Sequence, residues 1–165
     1  AVSRGFRVIS TASTEEKVQL CREHGAEHAL LYAEATPERV RALSGGGVAV
    51  VFDGVGRDTF DQSLASLARR GSLVLFGAAS GPVPPVDPQR LNAAGSVFLT
   101  RPTLADYIAT TEEYGERAAE VLEGILEGSL RLTVGAVFGL SQAAEAHRAL
   151  QSRSTTGSIV LDPNR

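Results

Sequence analysis

Short apolar segments alternate with amphipathic helical segments along most of the chain. Continuous apolar segments are typical of strands buried on both faces of a parallel sheet, and the strand–helix order predicts right-handed crossovers between them. The alternation therefore predicts an α/β fold with a doubly wound parallel sheet. The predicted strands are Phe6 to Ser10, Ala29 to Tyr32, Val48 to Asp53, Leu73 to Phe76 and Val97 to Leu99.

The helices between these strands carry recognisable end signals. For the first helix, Thr14 to His24, we predict Ser13 as the N-cap, Glu16 as the partner in a capping box and Gly25 as the C-terminal stop. The other predicted helices are Pro37 to Leu43, Thr59 to Leu67 and Gln89 to Ala94.

The pattern changes after Pro102, where one apolar stripe predicts a single long helix from Leu104 to Leu126 that ends at Gly128. The last segments are a predicted strand, a helix that Ser141 caps, and a closing strand. Their bounds are Leu130 to Phe138, Ser141 to Leu150 and Ser158 to Leu161.

Composition excludes several classes of partner. The length of 165 residues fits one globular domain, and a net charge of -3 with mixed signs gives no basic surface for nucleic acid or a membrane. The single cysteine, Cys21, excludes an internal disulfide, and no apolar segment approaches the roughly 20 residues that span a bilayer. We therefore predict a cytoplasmic protein. The scattered histidines, His24, His28 and His147, predict no metal site.

A glycine turn follows the strand Val48 to Asp53. Gly54-x-Gly56-x-x-Thr59 nearly matches a dinucleotide-binding fingerprint. However, Asp53 directly before it would repel phosphate, and the acidic residue expected about 20 residues later is missing. The alternatives are a phosphate-binding loop, a turn without a ligand, or a strand-to-helix turn in the second half of the sheet, at the edge where ligands bind. The residues favour the third.

The segment after the first strand offers a different anion site. Ser13 and Thr14 provide hydroxyls, and Lys17 follows one turn into the next helix, where an NAD-specific site would have an acidic residue instead. Helix amides, hydroxyls and an ammonium suit a 2′-phosphate. The alternative, that Ser13 only caps the helix and Lys17 is solvated, is equally compatible with these residues. Glu15 and Glu16 would weaken an anion site.

Five stretches of the chain match one known family in order. They are STASTEEK (10–17), HGAEHALLY (24–32), VVFDGVGRDTFDQSLASLARRGSLVLFGAASG (50–81), GSVFLTRPTLADYIATTEE (95–113) and LSQAAEAHRALQSRSTTGSIVLDP (140–163). Together they resemble the C-terminal half of the zeta-crystallin-like quinone oxidoreductases, in the zinc-free branch of the medium-chain dehydrogenase/reductase superfamily. The resemblance covers nearly the whole chain.

The resemblance implies NADPH as the coenzyme and a set of residues that bind it. Ser13, Lys17 and Tyr32 are expected around the 2′-phosphate, and Phe76-Gly77 is expected next to the nicotinamide. Ala78 and Ala79 depart from the family pattern, in which a hydroxyl or amide is common. Two further residues, Gly54 and Arg153, are also expected near the coenzyme, and no catalytic residue is predicted.

The resemblance also implies an activity and a domain organisation. We expect hydride transfer from NADPH to quinones or other conjugated carbonyls. The alternatives are reduction of enoyl thioesters or alkenals, and a non-catalytic nucleotide-binding or dimerisation module. Residues 1–127 are expected to form a partial NADPH-binding Rossmann domain, and residues 128–165 a C-terminal segment that packs on or completes the substrate domain.

In this family Val48 to Asp53 corresponds to the fourth strand of a Rossmann-like sheet. The chain is accordingly expected to lack the first strand and its glycine-rich loop, and to be inactive alone. The strands on either side of the missing one are expected to close on each other or to pair with another chain. The edge strand, Val97 to Leu99, is the expected seam of a homodimer.

Overall fold

The computed structural model describes residues 1–152 and 155–165. The chain forms two compact units, Ala1–Thr111 and Glu112–Arg165. This division reflects contact density within each unit. The functional boundary expected after residue 127 stays a prediction.

The first unit has the predicted alternation of strands and helices, so the α/β fold is confirmed. A short 3-10 turn, Val2–Arg4, precedes it. The elements are β1 (Ile9–Ala12), α1 (Glu15–Glu23), β2 (His28–Leu31), α2 (Pro37–Ser44), β3 (Val48–Asp53), α3 (Phe60–Ala65), β4 (Leu67–Leu75), α4 (Gln89–Ala93), β5 (Phe98–Thr100) and α5 (Leu104–Tyr107).

The strands of the first unit form two parallel sheets, one of β1 and β2 and one in the order β3-β4-β5. These are the two parts that remain when the first strand is removed from a doubly wound sheet of order 3-2-1-4-5-6. In the part of the chain that the structure describes, β1 and β3 do not pair with each other, so the expected closure of these two strands is wrong. The side chain of Phe52 in β3 is 71% exposed.

Each sheet of the first unit has its own apolar core. Ala12 and Ala29 pack with Val18 from α1, which fixes α1 against β1 and β2. The larger core lies between α3 and the β3-β4-β5 sheet, where burial of each large side chain contributes about 1.5–3 kcal/mol. Its buried members are Phe60, Leu64, Leu67, Leu73, Leu75 and Val97.

An ion pair joins the amino ends of β1 and β2. The guanidinium of Arg7 donates two hydrogen bonds of 2.7 Å to the carboxylate of Glu27. This hydrogen bonding lowers the pKa of Glu27 below its usual value. The pair therefore holds β1 and β2 in register at their amino ends. The carboxyl ends of the two strands lie at the opposite edge of the sheet.

Several elements differ in their bounds from the sequence prediction. Strand β1 begins at Ile9 instead of Phe6, and α3 ends at Ala65 instead of Leu67. Strand β4 begins at Leu67 instead of Leu73, because a bulge with Arg70 at φ 61° lets the strand start earlier. The long helix expected from Leu104 to Leu126 is two helices, α5 and α6 (Thr111–Leu126). The break covers residues 108–110 and α6 begins at Thr111, because threonine favours helix starts over helix interiors.

The second unit contains most of α6, followed by β6 (Val134–Gly139), a 3-10 turn, α7 (Ala143–Gln151) and β7 (Ser158–Asp162). Strands β6 and β7 pair in parallel. The strand expected from Leu130 thus begins four residues later. None of the helices in the described ranges is long and apolar enough to cross a membrane.

The side chain of Arg41 in α2 joins three backbone segments of the first unit. Its guanidinium donates to the carbonyl oxygens of Gly46 (2.7 Å), Ala65 (3.0 Å) and Leu67 (2.7 Å). These carbonyls lie after α2, at the end of α3 and at the start of β4. One cation therefore joins these three segments, and the Ala65 carbonyl is one that the end of α3 leaves without a partner inside the helix.

Replacing Arg41 by methionine should weaken this part of the fold. Arg41→Met keeps the aliphatic stem and removes all three hydrogen bonds, so we expect the free energy of unfolding to fall by about 1.5–3 kcal/mol. Urea unfolding followed by circular dichroism measures it. Arg39→Met, at an exposed position of the same helix, is the control and should change little. Equal urea midpoints for both variants would contradict the role given to Arg41.

Candidate functional site

The first group of predicted residues lies where β1 and β2 end. Ala12 pairs with Leu31 in the parallel register, and the amide of Tyr32 donates to the carbonyl of Ala12 at 3.0 Å. Because both strands run in the same direction, the residues that follow them meet at one edge. The structure thus brings Ser13 and Tyr32 to the same edge of this sheet.

The N-cap of α1 is Thr14, so the prediction of Ser13 as the cap is wrong by one residue. Thr14 has extended backbone angles, and its Oγ1 accepts a hydrogen bond of 3.3 Å from the amide of Lys17. In this geometry the Lys17 amide can be reached only by a hydroxyl three residues earlier in the chain, which is that of Thr14. Ser13 consequently lies outside the helix, with its side chain exposed.

This arrangement combines several features of an anion site. Ser13, Thr14 and Tyr32 are exposed, and Lys17 is half-buried in the first turn of α1. Thr14 uses its oxygen as an acceptor, so its hydroxyl proton can still be donated. Glu15 and Glu16 occupy the same helical turn. Their negative charges interact favourably with the helix dipole, but the same charges repel an anion bound at this helix end.

The second group lies in the glycine turn between β3 and α3, and the side chain of Asp53 organises it. The carboxylate is buried, with Asp53 only 4% exposed. Its Oδ1 accepts from the amides of Val55 and Gly56, both at 2.9 Å, which is an Asx-turn. Hydroxyls of Thr59 (2.8 Å) and Ser63 (2.7 Å) donate to Oδ2.

These hydrogen bonds decide between the alternatives for the glycine turn. In a phosphate-binding loop the amides of the turn point at the ligand. Here the amides of Val55 and Gly56 already donate to the carboxylate of Asp53, so they have no proton for a phosphate. The turn is held by an internal anion and does not serve as a phosphate-binding loop.

The glycine turn packs tightly against the turn that follows β4. The carbonyl of Asp53 accepts from the amides of Phe76 (2.9 Å) and Gly77 (3.3 Å). A Cβ atom added to Gly77 would lie 2.4 Å from the carbonyl oxygen of Gly54, and one added to Gly54 would lie 2.7 Å from the ring of Phe76. Gly54, Phe76 and Gly77 are therefore in contact with one another. Residues that contribute to one binding site have to be this close together.

Two residues that the sequence analysis did not select support the second turn. The hydroxyl of Ser80 donates to the carbonyl of Val55 at 2.8 Å and accepts from the amide of Asp58 at 3.0 Å. The guanidinium of Arg101, just after β5, donates to the carbonyl of Phe76 at 3.2 Å. Ser80 and Arg101 are isolated polar residues, and no sequence pattern marks them as part of a site. Asp53 is marked by such a pattern, because hydroxyls follow it at positions 59 and 63.

The predicted residues thus form two groups on different sheets. Ser13, Thr14, Lys17 and Tyr32 gather at the β1-β2 sheet, and Gly54, Phe76 and Gly77 gather at the β3-β4-β5 sheet. Arg153 lies outside the described residues. Within the described ranges, no group of three or more histidine, cysteine, aspartate or glutamate side chains could hold a metal ion.

The strand order and the site at the carboxyl ends of parallel strands define a Rossmann-like α/β domain. The chain belongs to the zinc-binding dehydrogenase family, whose model matches residues 1–124. The resemblance to quinone oxidoreductases is confirmed by relatives of that name that match nearly the whole chain.

A quinone oxidoreductase from Pseudomonas aeruginosa is 43% identical to the chain, covering 99% of the chain and 51% of that protein. A 2-haloacrylate reductase from a Burkholderia species is 40% identical over 96% of the chain and 49% of its own length. A mycobacterial protein solved in complex with NADPH is 54% identical, with a TM-score of 0.93 over 99% of the chain and 51% of that structure. The chain spans about half the length of the relatives it matches.

The contact between the two turns can be tested at Gly77. Gly77→Ala places a Cβ against backbone that cannot move aside, and overpacking of this kind costs about 1–3 kcal/mol. We expect the amides of residues 76–81 to exchange their hydrogens faster, as measured by mass spectrometry of that segment. Gly115→Ala in α6, where the added Cβ meets open space, is the control and should leave their exchange unchanged. Slow exchange in both variants would refute the contact.

Proposed function

We propose that the chain is the NADPH-binding part of an oxidoreductase that transfers hydride from NADPH to quinones or other conjugated carbonyls. The observation that carries the proposal is the cluster at the end of the β1-β2 sheet, where exposed hydroxyls and one ammonium surround a helix start. The NADPH complex of the mycobacterial relative supports the choice of coenzyme.

We assign the 2′-phosphate of NADPH to the first group of residues. The ammonium of Lys17 and the amino end of α1 supply positive charge, while the hydroxyls of Ser13 and Thr14 supply hydrogen bonds. The ring of Tyr32 lies at the same edge and can cover the adenosine side. An NADH molecule lacks this phosphate, so the first group would add little to its affinity.

We assign the nicotinamide end to the second group. Phe76 is 55% exposed beside Gly54 and Gly77, so its ring offers an apolar wall, while the glycines allow close approach of a planar ring. Arg153 is also proposed to contact the coenzyme. Bound NADPH would supply the hydride. The residues of this chain bind the coenzyme, orient it and exclude water, and no acid–base group is assigned among them.

We further propose that these 165 residues bind coenzyme without turning it over alone. Hydride transfer needs a near-attack geometry between the nicotinamide and an enclosed substrate. Both proposed groups hold the coenzyme, and neither closes over a second ligand. The 2-haloacrylate reductase among the relatives favours, as a second candidate, the reduction of a carbon–carbon double bond conjugated to a carboxylate, close to the alkenal and enoyl-thioester alternatives.

The remaining features of the proposal concern assembly, metal and location. We propose a homodimer, a zinc-independent reaction and a cytoplasmic location. The dimer is supported by the edge strand β5: in the described ranges it pairs only with β4, and Phe98 is 65% exposed. Zinc independence is testable by metal analysis of the purified chain.

Coenzyme titration tests the assignment of the 2′-phosphate. We expect NADPH to bind at least about tenfold more tightly than NADH, because a charged hydrogen-bonded phosphate contributes about 1.5–3 kcal/mol. Lys17→Gln should remove most of that preference, as read from the fluorescence of the bound coenzyme. Equal affinity of the unaltered chain for both coenzymes would contradict the assignment.

Helix α2 provides a matched control for this titration. Thr36 caps α2 and its Oγ1 accepts from the amide of Arg39 at 3.3 Å, the same arrangement as Thr14 and Lys17 in α1. Arg39→Gln therefore removes a cation from an equivalent helix position. It should leave the preference for NADPH unchanged.

The proposed dimer can be tested by sedimentation. We expect the unaltered chain to sediment as a dimer and Phe98→Lys to sediment as a monomer, because a lysine at the seam brings two like charges together across a twofold axis. Phe6→Lys changes another exposed phenylalanine, 66% exposed and outside β5, and should remain dimeric. A monomeric unaltered chain would overturn this part of the proposal.

A further inference from the structure

Asp53 is a buried carboxylate, and within the described part of the chain its hydrogen-bond donors are uncharged amides and hydroxyls. Burial of an ionised group is costly unless hydrogen bonds replace its hydration. Both oxygens are satisfied by backbone amides and hydroxyls between 2.7 and 2.9 Å. So complete a set of donors shows that the turn is built around this side chain.

Asp53 also links the two turns of the second group. Its side chain holds the amides of Val55 and Gly56, while its backbone carbonyl accepts from Phe76 and Gly77. A movement of this one residue therefore displaces both turns. The hydroxyl of Ser63 extends the connection into α3.

Packing around Asp53 leaves little room for adjustment. Gly54 lies against the ring of Phe76, and Gly77 lies against the backbone of Gly54. Neither glycine leaves room for a Cβ atom. A Cβ atom added to Gly56, at φ +90°, would lie 2.8 Å from the carbonyl oxygen of Gly81. A turn that loosened would therefore carry Phe76 and Gly77 with it, because rigid contacts transmit small displacements.

We propose that Asp53 is a positioning residue for the nicotinamide end of the coenzyme, acting through Phe76 and Gly77. This inference rests on the proposed function, since it assumes that NADPH lies across the two groups of residues. It predicts a selective effect. A change at Asp53 alters the nicotinamide end, while the 2′-phosphate group, on the β1-β2 sheet, keeps its geometry.

The test compares two ligands on the full chain. The nucleotide 2′,5′-ADP carries the adenosine and the 2′-phosphate alone, whereas NADPH also carries the nicotinamide. Asp53→Asn keeps the size of the side chain but replaces one acceptor oxygen by an amide group, which cannot accept the hydrogen bonds made there. Asp58→Asn is the matched control, because the Asp58 side chain is 62% exposed and pairs with Arg57 at the surface.

We expect Asp53→Asn to weaken NADPH binding by about tenfold, the size of one lost hydrogen bond to a charged group. Its affinity for 2′,5′-ADP should stay within about twofold of the unaltered chain, as should both affinities of Asp58→Asn. The fluorescence maximum of bound NADPH should also shift in Asp53→Asn, because it reports the surroundings of the nicotinamide.

Three outcomes would overturn the inference. They are equal weakening of both ligands by Asp53→Asn, no weakening of either, and an unaltered chain that binds NADPH no more tightly than 2′,5′-ADP. Failure of the unaltered chain to bind 2′,5′-ADP would overturn the proposed function, and the inference with it. Should Asp53→Asn fail to fold, Ser63→Ala removes one donor and should weaken NADPH selectively by about threefold. Absence of that selective loss would also overturn the inference.

Discussion

Parallel pairing of strands determines where every candidate residue of this chain lies. When two strands run in the same direction, their carboxyl ends meet at one edge, and the residues that follow them become neighbours despite their separation in sequence. The amide of Tyr32 bonded to the carbonyl of Ala12 is one example. The turns after β3 and β4, joined through the carbonyl of Asp53, are another.

The two edges use charge in opposite ways. At the end of β1 the exposed hydroxyls of Ser13 and Thr14 and the half-buried Lys17 lie around a helix start, an arrangement that suits an external anion. At the end of β3 the carboxylate of Asp53 accepts the amide hydrogen bonds that a bound phosphate would otherwise accept. A glycine-rich turn after a strand is therefore not by itself a phosphate site, because a residue of the chain can take the place of the ligand.

Much of this arrangement could be predicted from the sequence. The bounds of β3 were predicted without error, because an apolar run flanked by glycines leaves few alternatives. The break between α5 and α6 was not predicted, because the apolar stripe continues across residues 108–110 and periodicity alone does not reveal a short interruption of a helix. The cap of α1 was misplaced by one residue because Ser13 and Thr14 are adjacent and both are residues that favour the N-cap position. Arg41, Ser80 and Arg101 act through distant backbone carbonyls, which no local pattern reveals.

We propose that the edge beyond β1 holds the 2′-phosphate of NADPH, and the side chain of Lys17 allows a direct measurement of this binding. It is the only lysine of the chain, so its side chain carries the only ε-amino group that an acylating reagent can modify. The rate of its acylation, followed by mass spectrometry with the α-amino group of Ala1 as internal reference, should fall when NADPH or 2′,5′-ADP is present and change little with NADH. Equal rates with and without NADPH would contradict the account.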